Sequence, residues 1–156
     1  MRTMIVTIGL TALAGSAAFA DQRGFDAAMQ QVLAEYLKIH GALAADREAG
    51  VAQSAARIEK LATRLKPAGQ AKLVSIPASL RAAAAKLRQA KGIAAARLAF
   101  KELSRPMVTW ATALKPSGIY VVTCSMAKAS WLQREREVAN PYYGSQMLRC
   151  GDVAKP

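Results

Sequence analysis

The spacing of apolar residues predicts four amphipathic helices between residues 22 and 114. Apolar residues recur at alternating steps of four and three, which places them on one face of a helix. The third segment, Leu80 to Ala90, is alanine-rich and strongly helix-forming. The other three stripes are Phe25, Met29, Val32, Tyr36, Ile39 and Leu43; Val51, Ala55, Ile58, Ala62 and Leu65; and Ala96, Phe100, Leu103, Met107, Trp110 and Leu114.

Proline and glycine divide these segments. The sequence Lys66 to Gly69 ends the second helix, and a short helix over residues 71–76 is expected to stop before Pro77. Pro106 is expected to kink the last helix, or to split it with Ser104 as a new N-cap. Four helices joined by short loops predict an antiparallel four-helix bundle over residues 21–115.

The pattern changes after Gly118. The β-branched and aromatic run over residues 119–123 predicts a strand, and Asn140-Pro141 predicts a turn before a helical turn over residues 142–148. The predicted fold is therefore mainly α, with the bundle followed by a small irregular C-terminal module. We assign residues 116–156 to this module and expect it to contain one or two short strands packed on the bundle.

Residues 1–20 have the pattern of a signal peptide. Arg2 precedes an apolar run, and Ala18-Phe19-Ala20 forms a small-x-small cleavage site before Asp21. The run is shorter than the about 20 residues of a membrane-spanning helix, although an uncleaved anchor is the alternative. We predict cleavage after Ala20, export to the periplasm, and no transmembrane segment in the mature chain.

The chain is strongly basic, with a net charge of +12. Between Arg57 and Lys101 there are eleven basic residues and one acidic residue, Glu59. Such a band often indicates a polyanion partner, but export and the lack of interleaved aromatic residues argue against nucleic acid. A solvated helix surface is the favoured interpretation, and lipid phosphate or an acidic envelope protein is the functional alternative.

The sequence offers little for catalysis. It has no C-x-x-C motif, no glycine-rich phosphate loop and no pair of carboxylates at catalytic spacing. The one histidine, His40, lies a step off the first apolar stripe, where we expect a satisfied, half-exposed side chain; a metal ligand is its alternative role. Asp46 and Glu48 have the character of helix caps in a loop. We therefore predict that the chain is not an enzyme.

The candidate chemistry lies in four sulfur atoms near the C-terminus. Cys124 and Met126 would share a face of a strand, and Met147 and Cys150 a face of a helical turn. If these ends meet, one possibility is a Cys124–Cys150 disulfide closing a loop of about 26 residues, worth roughly 3 kcal/mol. The other is a soft-metal site, because thiolates and thioethers select Cu(I). The residues alone favour the disulfide, since two cysteines in an exported protein usually pair.

The residues around these sulfurs look structural and carry a family resemblance. We expect Trp131 and Tyr142 to anchor the module, Asn140 and Pro141 to form its turn, and the two glycines to adopt positive φ. The string C-S-M…SWL…NPYYGSQMLRCG resembles the "domain of unknown function 3347" family, whose members carry C-P-M, W-L and N-P-Y-x-G-x-x-M-x-x-C-G, although Ser125 replaces the usual proline. The matching residues are Cys124, Met126, Trp131, Leu132, Asn140, Pro141, Tyr142, Gly144, Met147, Cys150 and Gly151.

The resemblance implies a setting and no mechanism. Family members occur alone or fused to periplasmic adaptor subunits of heavy-metal efflux pumps, which implies metal handling in the cell envelope and brings the two sulfur hypotheses close to even. We therefore predict a non-enzymatic periplasmic protein that binds copper or another soft metal, or that assists an efflux adaptor. The alternative is a disulfide-stabilised structural or protein-interaction domain that binds no metal.

Overall fold

Four α-helices precede the C-terminal module in the part of the chain that the structure describes. This structure, a computed structural model, describes residues 14–66 and 71–154, with side chains from residue 23 onward. The helices are α1 (Ala14–Ala44), α2 (Val51–Ala62), α3 (Ile76–Gln89) and α4 (Ile93–Leu114), and a 3-10 turn (Ala71–Leu73) precedes α3. The prediction of a mainly helical fold built on a bundle is confirmed.

The predicted apolar stripes form the core of this bundle. Each residue of the first stripe, from Phe25 to Leu43, is at most 2% exposed. Consecutive helices pack on each other, and α1 reaches α4 through Tyr36, whose ring stacks on Phe100 with the centroids 4.8 Å apart. Each such buried apolar side chain contributes roughly 1.5–3 kcal/mol relative to an exposed one, so the stripes account for the packing of the four helices.

Two proline positions differ from expectation. Helix α3 begins at Ile76 with Pro77 in its first turn, where the missing N–H has no helical partner to lose. Helix α4 continues through Pro106, so of the two expected outcomes the split is wrong, and the kink stays a prediction. Ser104 does not cap a helix, because its Oγ lies 2.7 Å from the Tyr36 hydroxyl and joins α4 to α1.

The C-terminal module contains a three-stranded antiparallel sheet in the order β2-β1-β3. Its strands are β1 (Tyr120–Cys124), β2 (Ala129–Gln133) and β3 (Asp152–Val153). The prediction of a small module with short strands is confirmed, with one strand more than expected. Strand β3 has only two residues, and it pairs with β1 at the very end of the described chain.

Tyrosine hydroxyls cover the outer edge of β2, which packs on α4. The Leu132 N–H donates to the Tyr36 hydroxyl at 3.2 Å, and the Tyr142 hydroxyl donates to the Ser130 carbonyl at 2.8 Å. An uncovered edge strand would present these groups to another chain. The sheet is therefore fixed to the bundle by polar contacts as well as by apolar packing.

The predicted signal peptide falls mostly outside the described residues. Residues 1–13 are not described, and the backbone of residues 14–20 forms the start of α1. Cleavage after Ala20 and export stay predictions. None of the helices within residues 14–66 and 71–154 combines the length and the apolar character needed to cross a membrane.

Candidate functional site

The two cysteines lie side by side in the C-terminal module. Cys124 ends β1 and is buried, and Cys150 follows a turn in which its N–H donates to the Met147 carbonyl at 3.0 Å. Their Sγ atoms are 2.6 Å apart, and both are free thiols in this structure. The two ends of the segment therefore meet at the cysteines, as both sulfur hypotheses require.

Asn140 is the residue that folds the chain back to bring the cysteines together. Its backbone N–H donates to the Leu148 carbonyl, and its side-chain amide donates to the Cys150 carbonyl, both at 2.8 Å. Its side-chain oxygen accepts the Tyr142 N–H at 2.8 Å. Because Asn140 is fully buried, these bonds form without competition from water, and they close the loop from residue 140 to residue 150.

The anchors predicted in this module occupy the expected kinds of position. Trp131 is fully buried, and the Tyr142 ring meets it edge to face with the centroids 5.7 Å apart. Gly151 has φ +155, and a Cβ there would come within 2.7 Å of the Trp131 ring and 2.9 Å of Val122. Only glycine allows the chain to pass this close to Trp131 immediately after Cys150.

Hydrogen bonds make the two thiols unequal. Burial alone would raise the pKa of the Cys124 thiol, but hydrogen bonds from Cys150, the Ala127 and Met126 amides and the Asn140 side chain outweigh it and lower that pKa. The pKa of Cys150 is raised, chiefly because its thiol is the donor to Cys124. Cys124 is therefore the thiol that ionises first, with Cys150 stabilising the thiolate.

The two methionines do not join the cysteines. Strand β1 ends at Cys124, so the strand alternation does not reach Met126, which lies in the following turn and is 62% exposed. Met147 is half-buried and is absent from the apolar cluster that includes Cys124, Trp131 and Cys150. The structure thus brings two of the four predicted sulfur ligands into contact, and a four-sulfur site stays a prediction.

His40 holds the backbone next to Asn140. Its Nε2 lies 2.8 Å from the Ala139 carbonyl, and since a carbonyl only accepts, Nε2 carries the proton. Burial lowers the pKa of His40, although this hydrogen bond opposes the effect. The side chain is satisfied, as expected, but it is buried rather than half-exposed. Its role as an additional metal ligand stays a prediction.

Gln133 is an organising residue that sequence reasoning missed. Its side chain is 2% exposed, and its oxygen accepts from the Trp131 indole at 2.9 Å and from the Ala139 N–H at 3.2 Å. Its amide donates to the carbonyls of Glu135 and Glu137 at 2.6 and 2.9 Å. One glutamine therefore supports the whole loop between β2 and Asn140. The only signal in the sequence is its position two residues after Trp131 on the same strand.

A second polar contact fixes the module to the loop between α1 and α2. The Asp46 carboxylate accepts from Arg97 at 2.5 Å and from the Ser145 N–H at 2.9 Å. The bonds from Ser145 and from Arg97 lower the pKa of Asp46 to about 2. The prediction that Asp46 and Glu48 cap a helix is wrong for α2, whose N-cap is Gly50 without a side-chain hydrogen bond.

Gly144 and Pro141 lie against the same ion pair. Arg97 also donates to the Pro141 carbonyl at 3.1 Å and to the Leu43 carbonyl at 3.0 Å, so one guanidinium links α1, α4 and the module. Gly144 has φ +56, and a Cβ there would collide with Asp46 and Arg97. The positive φ predicted for Gly144 is confirmed, and the close approach of its backbone to the ion pair is a second reason why this residue is a glycine.

No larger cluster of metal-ligating side chains is present in the described ranges. Within residues 14–66 and 71–154, no group of three or more histidine, cysteine, aspartate and glutamate side chains is arranged to hold a metal ion. The cysteine pair supplies two sulfur ligands, and the identity of any further donor stays a prediction.

The family model described as "Protein of unknown function (DUF3347)" matches residues 32–118. The match begins at residue 32 within α1 and includes all of α2, α3 and α4, and it stops before β1, so the sulfur motif lies outside it. No curated protein and no solved structure matches the chain. Since the matched region is more than half of the 156 residues, the chain belongs to this family of proteins of unknown function.

Proposed function

We propose that this chain is a non-enzymatic, exported protein of the periplasm that binds a soft metal ion, with Cu(I) as the first candidate, at Cys124 and Cys150. The observation that carries the proposal is the contact of the two Sγ atoms, 2.6 Å apart, at the end of a loop closed by a buried asparagine. The two thiols already lie side by side on this loop, so binding one ion requires their Sγ atoms to move apart but requires little further ordering of the chain.

The electrostatics of the pair support metal binding. A metal-binding thiol must lose its proton, and the pKa of Cys124 is already lowered by its hydrogen bonds. Thiolate sulfur selects Cu(I) over harder ions. Met126 lies two residues from Cys124, and its exposed side chain has room to turn toward a bound ion. Met147 is less accessible because it is half-buried.

A disulfide-stabilised domain without metal is the second candidate function. It is favoured by the same Sγ contact together with the absence of both methionines from the cysteine cluster. A two-electron oxidant of the proposed periplasmic compartment would take up the two protons and two electrons of the thiols, and the resulting bond would link β1 to the C-terminal tail. Such a domain would serve structure or protein interaction. The two candidates differ in whether the reduced pair binds an ion.

The proposed partner is an efflux-pump adaptor or another acidic envelope protein. The adaptor follows from the family resemblance at the C-terminal motif, and an acidic partner follows from the net charge of +12. Export is proposed on the signal-peptide pattern of residues 1–20. The intact mass of protein from the periplasmic fraction checks it: the expected chain starts at Asp21, and one that still starts at Met1 would contradict cleavage.

Competition with a Cu(I) chelator under reducing conditions tests the metal proposal. The reduced wild type should take Cu(I) from the chelator, and the Cys124→Ser/Cys150→Ser variant should not. Met126→Leu removes a thioether at nearly constant volume and should weaken binding without loss of stability. Met107→Leu, which changes a methionine in the bundle core, is the matched control and should bind as the wild type does.

The same experiment separates the two candidates. A reduced wild type that competes no better than the double cysteine variant would end the metal proposal and leave the disulfide-stabilised domain. His40→Ala serves as a further check, because a loss of more than about tenfold, or 1.4 kcal/mol, would mean that His40 is a ligand.

A further inference from the structure

A basic groove lies between α4 and the hairpin formed by β1 and β2. It has a volume of about 420 Å³, and Lys101, Arg105 and Lys128 contribute its charged lining. Cys124 and the hydroxyl groups of Thr109, Thr123 and Ser130 line it as well, and no acidic side chain does. Because the hydroxyls bond to the Arg105 carbonyl or to each other, the three cations are the groups that make this surface complementary to carboxylates.

The three cations keep most of their binding capacity. Lys101 donates to the Ala127 carbonyl at 2.6 Å, which fixes its ammonium at the groove and leaves two of its protons for a ligand. Arg105 approaches Glu102 only at 3.5 Å, and both side chains are exposed, so this pair is weak. Lys128 is exposed in the turn after β1, and within the described ranges it has no ion-pair partner.

The groove continues along the outer face of α4. A neighbouring depression shares Lys101 and Arg105. It is also lined by Lys86, by one acidic residue, Glu102, and by Leu98, whose side chain is 70% exposed, so cations outnumber the carboxylate by three to one. The stretch from Ala95 to Thr109 is about 20 Å long at 1.5 Å per helical residue. An extended peptide of about six residues has the same length.

We propose that this α4 groove binds an extended acidic segment of a partner protein, with an apolar residue of that segment placed against Leu98. This inference rests on the proposed acidic partner, to which it assigns a binding surface, and it does not depend on metal binding. A second copy of this chain fits poorly, because no two of its ten acidic residues are adjacent. Single-stranded nucleic acid also fits poorly, because no aromatic side chain lines the groove for base stacking.

Fluorescence anisotropy with a labelled peptide of six glutamates and a terminal leucine tests the proposal, in metal-free buffer at low salt. The matched peptide with glutamine in place of glutamate is the ligand control. The Arg105→Glu/Lys128→Glu variant should bind the acidic peptide at least about tenfold more weakly than the wild type. Arg105→Gln/Lys128→Gln should lose affinity in the same direction, which covers the case in which charge reversal disturbs folding.

Lys60→Glu/Lys72→Glu is the matched protein control. It makes the same change in net charge at exposed positions on α2 and the 3-10 turn, away from the groove, so a loss below about threefold is expected. Equal losses in the two charge-reversed variants, or equal binding of the two peptides, would overturn the proposal. The proposal would also be overturned if the groove variant lost binding to vesicles with anionic lipid and showed no loss of binding to the peptide.

This result is independent of the copper experiment. The peptide contains no sulfur and the buffer no metal, so a failure here leaves the cysteine proposal standing. Conversely, a protein that binds no Cu(I) but binds the acidic peptide through Arg105 and Lys128 would refute the metal site alone.

Discussion

Buried polar residues, together with the apolar cluster around Trp131, determine the shape of the C-terminal module. Gln133 and His40 both hold the chain at Ala139, one residue before Asn140. Asn140 in turn fixes the loop that carries Cys150. The position of the thiol pair therefore depends on three polar side chains, and substitutions of Gln133 and of His40 test this dependence at the scale of a single residue.

Replacing Gln133 with leucine should destabilise the protein by roughly 2–4 kcal/mol, because buried partners such as the Trp131 indole N–H lose their hydrogen bonds. Chemical denaturation checks this. The matched control is Gln89→Leu at the exposed end of α3, where a change within about 0.5 kcal/mol is expected. Equal stability of the two variants would mean that the Gln133 network contributes little.

His40 should make stability pH-dependent. Because burial lowers its pKa, the folded protein binds this proton less readily than the unfolded chain, whose histidine titrates near 6.5. Its contribution is therefore complete above about pH 6.5 and is lost as the pH falls below that value. His40→Gln keeps a donor for the Ala139 carbonyl and cannot titrate. Melts between pH 7.5 and 5 should show a smaller decrease for the variant; identical curves would contradict this role.

Between elements, the loop joining α1 to α2 and the loop from residue 140 to residue 150 meet at one ion pair. Asp46 accepts the Ser145 N–H, and Arg97 of α4 donates to Asp46 and to the Pro141 carbonyl. Gly144 lets the two loops approach closely. The module is thus docked by polar contacts that come from three separate parts of the chain.

Asp46→Asn should lower the melting temperature most near neutral pH. The folded-state pKa of Asp46, about 2, lies below its ordinary value of 3.8, so its contribution is present above about pH 4 and is lost as the pH falls toward 2. The difference between wild type and variant should shrink over that range. Glu48→Gln, exposed in the same loop, is the matched control. A difference that stays constant down to pH 2 would contradict the assignment.

The elements that sequence could predict are those that depend on local pattern. The stripes of α1, α2 and α4 repeat every three or four residues, and every residue of the α1 stripe is buried as predicted. The two residues of β3 have no pattern of their own, and their strand exists only because β1 offers an edge. A split at Pro106, the alternative to a kink, follows from a local rule that ignores packing, whereas α4 has buried residues on both sides of this proline and continues through it.

The residues of the candidate site likewise divide into those that the sequence predicts and those that it does not. The unusual residue types drew attention to Cys124, Cys150, Asn140 and Trp131, and the structure places all four in one small region. Grouping the two methionines with the cysteines assumes a regular strand and a regular helical turn. Strand β1 ends at Cys124, too early to place Met126 on the same strand face as Cys124. The only local signal for Gln133 is its position two residues after Trp131, and Arg97 acts on partners 44 to 54 residues away, which no local spacing reveals.

For the whole molecule, the cysteine pair determines how firmly the tail is held to β1. In the oxidised protein, a bridge over the 26-residue separation should add about 3 kcal/mol to the free energy of unfolding. Denaturation with and without reductant should therefore differ for the wild type and not for Cys124→Ser. A wild type that is insensitive to reductant would mean that the pair does not form a disulfide.

The most direct test of the account is a thiol count on reduced protein, with and without one equivalent of Cu(I). The chain contains two cysteines, so the metal-free protein should react with two equivalents of a thiol reagent. Because a bound ion would hold both sulfurs as thiolates, the metal-loaded protein should react with none. Protection should weaken as the pH falls, since protons compete for Cys124 and Cys150. Two thiols that stay fully reactive in the presence of Cu(I) would contradict the proposed metal site.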